Sequence, residues 1–322
     1  MTAFSGQRTA DSKRQFAVGV DFGATRIKMG LVNNRGKVLA RKVVPTLKDI
    51  SPAEFVRTVK NEITELLSDS FKCRDCVGIG IGAPGLVDSQ RGIVQYLVNI
   101  KGWENVPIAQ ALERRIRLPV KVDNDANVMT LGELVYGAGR GCKNLVCLTL
   151  GTGVGGGIII GGELYRGATH AAGEIGHVAI EQDGRPCACG GMGCVEAYVG
   201  NRRIIALGKG KFSSPKQISD AARRGDRFAL SIWEQVGTHL GTALASVVNL
   251  LNPEKIVIGG GVANAGGLLL DIVRKTVKKR AMKGPAGSVK IVKAQLGDNA
   301  GIVGGAVLAF SGQRTAFSKT VR

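Results

Sequence analysis

The chain has 322 residues, is 44% hydrophobic and 21% charged, and carries a formal net charge of +19. Its length fits one large or two ordinary globular domains, and no uninterrupted apolar run is long enough for a membrane span, so we expect no membrane partner. The positive charge would attract ATP or other polyanions, but a solvated basic face explains it without a specific nucleic-acid partner.

The first part of the chain predicts strands interleaved with helices. Residues 1–15 are polar, lack the apolar core of a signal peptide, and are expected to form a flexible tail. Apolar runs predict strands over residues 16–21, 26–32, 37–44, 77–81 and 119–122. A capping box of Ser51 and Glu54 around Pro52 begins a helix that we expect to end near residue 67. Further helices are predicted over residues 108–115 and 125–136.

From residue 144 the same order of elements starts again. Strands are predicted over residues 144–150, 155–160, 163–166 and 255–258. Helices are predicted over residues 228–251 and 268–279 and within the apolar segment 297–310. In both halves a strand leads through a glycine-threonine turn into a second strand, and a hairpin turn leads into a third. Two copies of one supersecondary unit predict two similar domains that face each other across a cleft.

One histidine and three cysteines are concentrated within residues 177–194: His177, Cys187, Cys189 and Cys194. Thiolate and imidazole are ligands that Zn²⁺ takes, and a Cys₃His set fills a closed tetrahedral structural site. Buried, inert cysteines are the alternative, but they have no reason to cluster with a histidine at this spacing. We therefore predict a structural zinc site. The seven cysteines are an odd number, so we expect a reducing, cytoplasmic location rather than disulfides.

Two glycine-threonine turns, at residues 23–25 and 151–153, place backbone N–H groups and a hydroxyl where phosphates can be held. Neither turn matches the P-loop pattern or precedes a helix, which excludes a Walker-type site. A third glycine cluster, residues 259–261, follows a buried strand and strengthens this interpretation. Asp21, at the end of the first strand, could hold Mg²⁺ through water, although a satisfied strand-end Asp explains the local sequence equally well.

Asn124 and Asp125 stand at a strand-to-helix junction. An amide beside a carboxylate suits a polyhydroxylated ligand, and Asp125 could act as a general base; the alternative is a helix N-cap cluster. Glu174 and His177, three residues apart, share a face on a helical turn, and Glu196 closes the zinc segment. If one ring nitrogen of His177 binds zinc, the other is a fixed donor that points elsewhere. This set of polar groups predicts a sugar ligand.

Four motifs, spread over nearly the whole chain, resemble those of the ROK family (repressor, open reading frame, kinase) of the actin-like ATPase superfamily. They are VGVDFGATRIK at 18–28 (first phosphate motif), LGTGVGGG at 150–157 (second phosphate motif), IVIGGG at 256–261 (adenosine motif), and AGEIGH at 172–177 with Cys-x-Cys-x₄-Cys-x-Glu at 187–196 (zinc and sugar signature). Ala24 departs from the pattern, since the family more often has glycine there. Alanine at this position affects only the backbone angles of the turn, so we still expect the turn to bind ATP.

The resemblance implies an α/β fold of two actin-like (ribonuclease H-like) domains with mixed sheets flanking a central cleft. The smaller domain would comprise residues 16–123, with about 298–312 returning to it, and the larger one residues 124–297 with the zinc loop. Residues 313–322 would form a basic C-terminal tail. ROK kinases are commonly dimers or tetramers, so a homodimer or homotetramer is implied as well.

The resemblance also implies transfer of the γ-phosphoryl group of ATP to the 6-hydroxyl of a hexose, with Asp125 as the base. The implied sugar-binding residues are Gly85, Asn99, Asn124, Asp125, Glu174, His177 and Glu196. The residues implied to face ATP and Mg²⁺ are Asp21, Gly23, Thr25, Lys28, Gly151, Thr152, Gly153, Gly260 and Gly261. The implied zinc ligands are His177, Cys187, Cys189 and Cys194.

The sequence leaves the hexose least settled. Residues 148–177 look most like ROK glucokinases, so glucose is the expected substrate, but kinases of fructose, mannose, N-acetylglucosamine and N-acetylmannosamine share the signature. Polyphosphate is an alternative donor that a basic surface would suit. ROK repressors bind DNA through a winged helix ahead of this core. Residues 1–15 are too few for such a domain, so we expect a kinase rather than a sugar-responsive regulator.

Overall fold

The computed structural model describes residues 15–67, 71, 73–97 and 100–311. The candidate residue Asn99 lies outside the described residues, as do the predicted basic tail 313–322 and all of the predicted tail 1–15 except its last residue. None of the helices in the described part of the chain combines the length and apolar character that a bilayer crossing requires.

Runs of strands and runs of helices follow one another along the described part of the chain. The strands are β1 Phe16–Phe22, β2 Arg26–Asn33, β3 Val38–Pro45, β4 Cys76–Ala83, β5 Leu86–Asp88, β6 Ile93–Tyr96, β7 Glu104–Val106, β8 Val120–Asn124, β9 Leu145–Leu150, β10 Val154–Ile160, β11 Glu163–Tyr165, β12 Lys255–Gly259 and β13 Lys290–Lys293. The helices are α1 Pro52–Leu66, α2 Ile108–Ile116, α3 Asp125–Tyr136, α4 Glu196–Val199, α5 Asn201–Leu207, α6 Pro215–Arg223, α7 Arg227–Leu251, α8 Gly267–Arg280, α9 Lys283–Ser288 and α10 Ala300–Phe310. Short 3₁₀ helices form at Cys73–Asp75, Ile175–His177, Val262–Ala265 and Gly297–Asn299.

The first sheet contains five strands in the order β3-β2-β1-β4-β8. Strand β1 pairs antiparallel with β2 and parallel with β4, and β4 pairs parallel with β8. The carboxyl ends of β1, β4 and β8 therefore meet at one edge, where Asp21 is in register with Gly82 and Gly82 with Asp123. This register brings Asp21 and the β8–α3 turn to the same edge of the sheet.

The second sheet repeats this arrangement in the order β11-β10-β9-β12-β13. Its first three strands in sequence are again antiparallel neighbours, and β12 lies parallel to both β9 and β13. The repeated unit predicted from the sequence is therefore confirmed, and the predicted fold class of α/β with mixed sheets is confirmed with it. The short third sheet, β5-β6-β7, was not predicted, because strands of three or four residues carry little periodicity.

Each sheet has its own apolar core. In the first, Phe22, Phe55 and Trp103 pack together, and the buried indole N–H of Trp103 donates to the carbonyl of Ile50 at 2.8 Å. In the second, the long helices α7 and α8 pack against one another beside the sheet strands. Burial of these aromatic and aliphatic side chains supplies most of the favourable free energy of folding.

Helix α10, near the end of the described chain, packs against β1, β4 and helix α3. The approach to the sheet is close because glycines face each other, and a Cβ atom on Gly80 would overlap the carbonyl oxygen of Gly305. The assignment of residues 16–123 with 298–312 to one domain and 124–297 to another stays a prediction.

The capping box predicted for α1 is confirmed. The side chain of Ser51 accepts the N–H of Glu54 at 3.2 Å, and the carboxylate of Glu54 accepts the N–H of Ser51 at 2.9 Å. Strand β4 differs slightly from its prediction, since it continues through Gly82 to Ala83 before the chain turns. The strand continues through Gly82 because this residue pairs with Asp21 of β1 on one side and with Asp123 of β8 on the other.

Candidate active site

A cavity of about 880 Å³ is lined by residues from both halves of the chain. Among the predicted site residues it brings together Gly85, Asn124, Asp125, Gly151, Thr152, Gly153, Glu174, His177, Cys187, Cys189, Glu196 and Gly260. The predicted sugar-binding and phosphate-binding groups in this set therefore share one space. Its size is that of a small-molecule site.

The β8–α3 turn presents Asn124 and Asp125 to this cavity. The side-chain oxygen of Asn124 accepts the N–H groups of Ala126 at 2.9 Å and Asn127 at 3.2 Å, which is N-cap geometry. The amide nitrogen of Asn124 donates to the carbonyl of Gly85 at 3.0 Å. Asn124 thus caps the helix and ties it to the chain beyond β4, and the neighbouring carboxylate of Asp125 is presented beside it.

Asp125 is well suited to accept a proton at neutral pH. Burial raises the pKa of its carboxyl to about 7, and the nearby negative charges of Asp21 and Glu174 act in the same direction. The N–H of Ala126, which donates to the carboxylate at 2.8 Å, opposes this shift. A base with its pKa near the working pH combines availability with driving force.

The predicted zinc ligands converge. The ligand atoms of His177, Cys187, Cys189 and Cys194 all lie within 4.8 Å of one another. Nδ1 of His177 is 3.6 Å from Sγ of Cys187, and Sγ of Cys189 is 3.7 Å from Sγ of Cys194. Bonds of about 2.0–2.3 Å to a tetrahedral Zn²⁺ put neighbouring ligand atoms at separations of this size, so the donor set fits the ion.

The imidazole of His177 links this cluster to the cavity. Its Nδ1 is on the cysteine side, and its Nε2 lies 3.8 Å from a carboxylate oxygen of Glu174. Both residues border the 3₁₀ turn Ile175–His177, which gives them the common face expected for an i, i+3 pair. A metal on Nδ1 would therefore leave Nε2 as a donor directed toward the cavity wall that carries Glu174.

Glu196 has a role that the sequence did not reveal. Its Oε2 accepts the N–H of Val154 at 2.7 Å, directly after the glycine-threonine turn, and its Oε1 lies 4.0 Å from Sγ of Cys187. A Cβ atom on Gly153 would lie 2.6 Å from the same carboxylate, so a larger residue there would displace the side chain of Glu196. Glu196 thus joins the cysteine cluster to the candidate phosphate turn.

The glycines of the second half form the other end of the cavity. The N–H of Gly151 donates to the carbonyl of Gly153 at 2.9 Å and closes the turn. Gly260 has a φ of +84° and packs against the backbone of Leu150, a conformation and an approach that require glycine. The neighbouring Gly261 is exposed and lies outside the cavity lining.

Four further candidates lie outside the cavity lining, on the first sheet: Asp21, Gly23, Thr25 and Lys28. Nζ of Lys28 lies 3.3 Å from Asp21 and 3.6 Å from Asp298. Gly23 donates its N–H to the carbonyl of Arg26 at 3.0 Å, and Thr25 accepts the N–H of Thr46 at 3.0 Å. This edge of the sheet influences the site electrostatically, since the negative charge of Asp21 raises the pKa of Asp125.

Two contacts of buried carboxylates beside the site were not predicted from the sequence. Arg166 binds the buried carboxylate of Asp123 through two nitrogens, and Nε2 of His170 lies 3.6 Å from Asp88. His170 lines the cavity and has a φ of +63°, which is unusual for a residue other than glycine. The sequence did contain a signal for these contacts, since each acid belongs to a short strand with apolar residues and a buried carboxylate requires a partner.

The comparisons with known proteins agree with these motifs. The model of the ROK family matches residues 17–311. A glucokinase of Halalkalibacterium halodurans is 40% identical over 89% of this chain and 93% of its own, and a glucokinase of Thermotoga maritima is 38% identical over 90% and 95%. A ROK family glucokinase from Streptomyces griseus, solved in complex with glucose and AMPPNP, is 36% identical with a TM-score of 0.80, covering 92% of this chain and 99% of that one. This chain belongs to the ROK family.

Proposed function

We propose that this protein transfers the γ-phosphoryl group of ATP to the 6-hydroxyl of glucose. One observation carries the proposal: the half-buried carboxylate of Asp125 lines the same cavity as the glycine-threonine turn at 151–153. The similarity to glucokinases, one of them solved with glucose and an ATP analogue, supports both substrates.

In this reaction Asp125 accepts the proton of the sugar hydroxyl while that oxygen bonds to phosphorus and the bond to ADP breaks. Glu174 and the free nitrogen of His177 bind other hydroxyls. The 151–153 turn would lie against the phosphates, and Gly260 would lie on the adenosine side. Mg²⁺ neutralises phosphate charge when bound, and the carboxylate of Asp21 is suited to hold the ion through its water ligands. Positioning and charge neutralisation supply most of the catalysis in such a transfer.

Zinc has a structural role in this proposal. Held by His177, Cys187, Cys189 and Cys194, it would lock the imidazole ring and, through the contact of Cys187 with Glu196, the position of the phosphate turn. All seven cysteines are free of disulfides, which suits metal binding in a reducing compartment, and we propose a cytoplasmic location. A homodimer or homotetramer is proposed from the family resemblance.

The first test is the Asp125→Asn variant. The amide keeps the size and much of the hydrogen bonding of the side chain but cannot take a proton, so we expect glucose affinity to persist and turnover to fall by roughly 10²-fold or more. Initial rates with ATP and glucose, together with glucose binding by calorimetry, measure the two effects separately. Near-normal turnover would remove Asp125 from the role of base.

The second test is a panel of hexoses assayed with ATP and with polyphosphate. We expect the highest kcat/KM with glucose and ATP. A preference for fructose, mannose or an N-acetylhexosamine would replace glucose as the substrate, and a preference for polyphosphate would replace ATP as the donor. Neither result would change the assignment of Asp125.

A further inference from the structure

The carboxylate of Asp123 is fully engaged inside the protein. It is 1% exposed and belongs to β8, one residue before Asn124. Its Oδ1 accepts the N–H of Asn124 at 2.8 Å and the amide nitrogen of Asn127 at 3.0 Å. Its Oδ2 accepts Nε of Arg166 at 2.8 Å and Nη2 at 2.6 Å. One side chain thus holds both the start of the β8–α3 turn and a guanidinium from 43 residues further along the chain.

The two oxygens of Asp123 have different tasks. Oδ1 accepts hydrogen bonds from the turn that carries the proposed base, while Oδ2 accepts hydrogen bonds from Arg166. Nε and Nη2 of Arg166 both donate to Oδ2, so the positive guanidinium lies directly against the buried carboxylate. Without Arg166, Oδ2 of Asp123 would lose both of these donors inside the protein, and the carboxylate would be less firmly held. A rotation of the carboxylate would disturb the acceptor geometry at Oδ1.

Arg166 is itself held in place. It directly follows β11, and its carbonyl accepts the N–H of Ala172 at 3.0 Å, which closes the loop between them. Within that loop His170 lies 3.6 Å from Asp88, a residue of the small third sheet. The loop therefore contacts the first half of the chain at two points. Glu174, which lines the sugar side of the cavity, lies two residues after the end of this loop at Ala172.

We propose that Arg166 is a positioning residue for phosphoryl transfer, acting through Asp123 on the turn that presents Asn124 and Asp125. The proposal rests on the proposed role of Asp125 as base. Arg166 does not line the cavity, so it acts without touching the substrate. It also couples the two walls of the sugar end, because the same loop leads from Arg166 to Glu174.

The expected kinetic signature is a loss in kcat. A displacement of a reacting group by about 1 Å can lower turnover by about 10²-fold, so Arg166→Met is expected to lower kcat by roughly 10- to 100-fold. The Michaelis constant for ATP should change by less than about 3-fold, because Arg166 acts through Asp123 on the β8–α3 turn, whereas the 151–153 turn follows β9 and Gly260 follows β12. Arg166→Lys keeps the charge but loses the fork, and its kcat should lie between those of Arg166→Met and the unmodified protein.

A double variant separates positioning from general damage. In Asp123→Asn the oxygen can still serve Asn124 and Asn127, but the amide N–H₂ now faces the donors of Arg166. Arg166→Met leaves the charge of Asp123 without its cation, and Asp123→Asn sets donor against donor, whereas Asp123→Asn with Arg166→Met has neither the charge nor the clash. We expect the double variant to have a kcat several-fold above that of Arg166→Met, since residues in direct contact show strong coupling. General destabilisation would instead make the double variant the worst of the three.

The measurement is kcat per folded, zinc-loaded chain, with thermal unfolding and zinc content recorded for every variant. Arg223→Met is the matched control, because Arg223 forms an exposed pair with Asp220 at 3.1 Å, and its kcat should stay within about 2-fold. If Arg166→Met does not fold, Arg166→Lys carries the test. An unchanged kcat for the Arg166 variants, beside an inactive Asp125→Asn, would overturn this inference alone. An active Asp125→Asn would instead refute the proposed base.

Discussion

The pH dependence of turnover should report the ionisation of Asp125. With a pKa of about 7, the carboxylate is about 10% ionised one unit below that value and about 90% ionised one unit above it. Only the ionised form can accept the proton of the sugar hydroxyl. We therefore expect kcat/KM for glucose to rise roughly 10-fold from about pH 6 to about pH 8, and to be lost as the pH falls.

The structure also predicts what should move this transition. Burial is the largest cause of the raised pKa, and the negative charge of Asp21 is the next. Replacing that charge in Asp21→Asn should lower the pKa of Asp125, so the acid limb of the profile should shift to lower pH. A role of Asp21 beside Mg²⁺ would also change absolute rates, but a rate change alone does not displace the acid limb along the pH axis.

The assay is the initial rate of ADP formation at low glucose and saturating MgATP across this pH range. Low glucose is needed because kcat/KM reports the free enzyme, to which the pKa in the structure applies. A kcat/KM that is flat between about pH 6 and about pH 8 would exclude Asp125 as a base with this pKa. A shift of the acid limb to higher pH in Asp21→Asn would exclude the charge of Asp21 as a cause of the raised pKa.

Two further predictions concern the metal and the packing. Purified protein should contain about one zinc per chain, and Cys189→Ser should lose it and weaken glucose binding more than ATP binding, as measured by metal analysis and calorimetry; active protein without zinc would contradict the site. In Gly304→Ala the new Cβ would overlap the carbonyl oxygen of Val128, so the free energy of unfolding should fall by about 1–3 kcal/mol in urea denaturation. Gly284→Ala, where a Cβ meets open space, is the control and should change it by less than about 0.5 kcal/mol. Equal stability of the two variants would show that α10 does not pack against α3 as described.

Much of the fold was predictable because its signals are local. Strand alternation and helical periodicity are set by side chains two to four residues apart, and the α1 capping box spans only Ser51 to Glu54. The cluster of candidate zinc ligands was predictable for the same reason, since His177 and the three cysteines are close together in sequence and their chemistry suits one ion. The repeated order of strands then implied two similar sheets.

The candidate site was predictable only in part. The sequence indicated Asp125 as a base, but its pKa depends on burial and on the charges of Asp21 and Glu174, which lie far from it in sequence. The role of Asn124 as N-cap and the tie between Glu196 and Val154 were likewise open until the elements were in place. Local sequence states which groups are present, and it leaves undetermined which of them face each other.

The sequence by itself thus determined most of the longer elements, the cluster of His177 with three cysteines and the polar character of the β8–α3 turn. Only the tertiary structure decided which side chains meet across elements. The pair of Asp123 and Arg166 illustrates the reason: the partners come from different sheets, and their contact requires the register of β8 beside β4 and the path of the chain after β11. Such contacts depend on packing between distant segments, which no short-range pattern encodes.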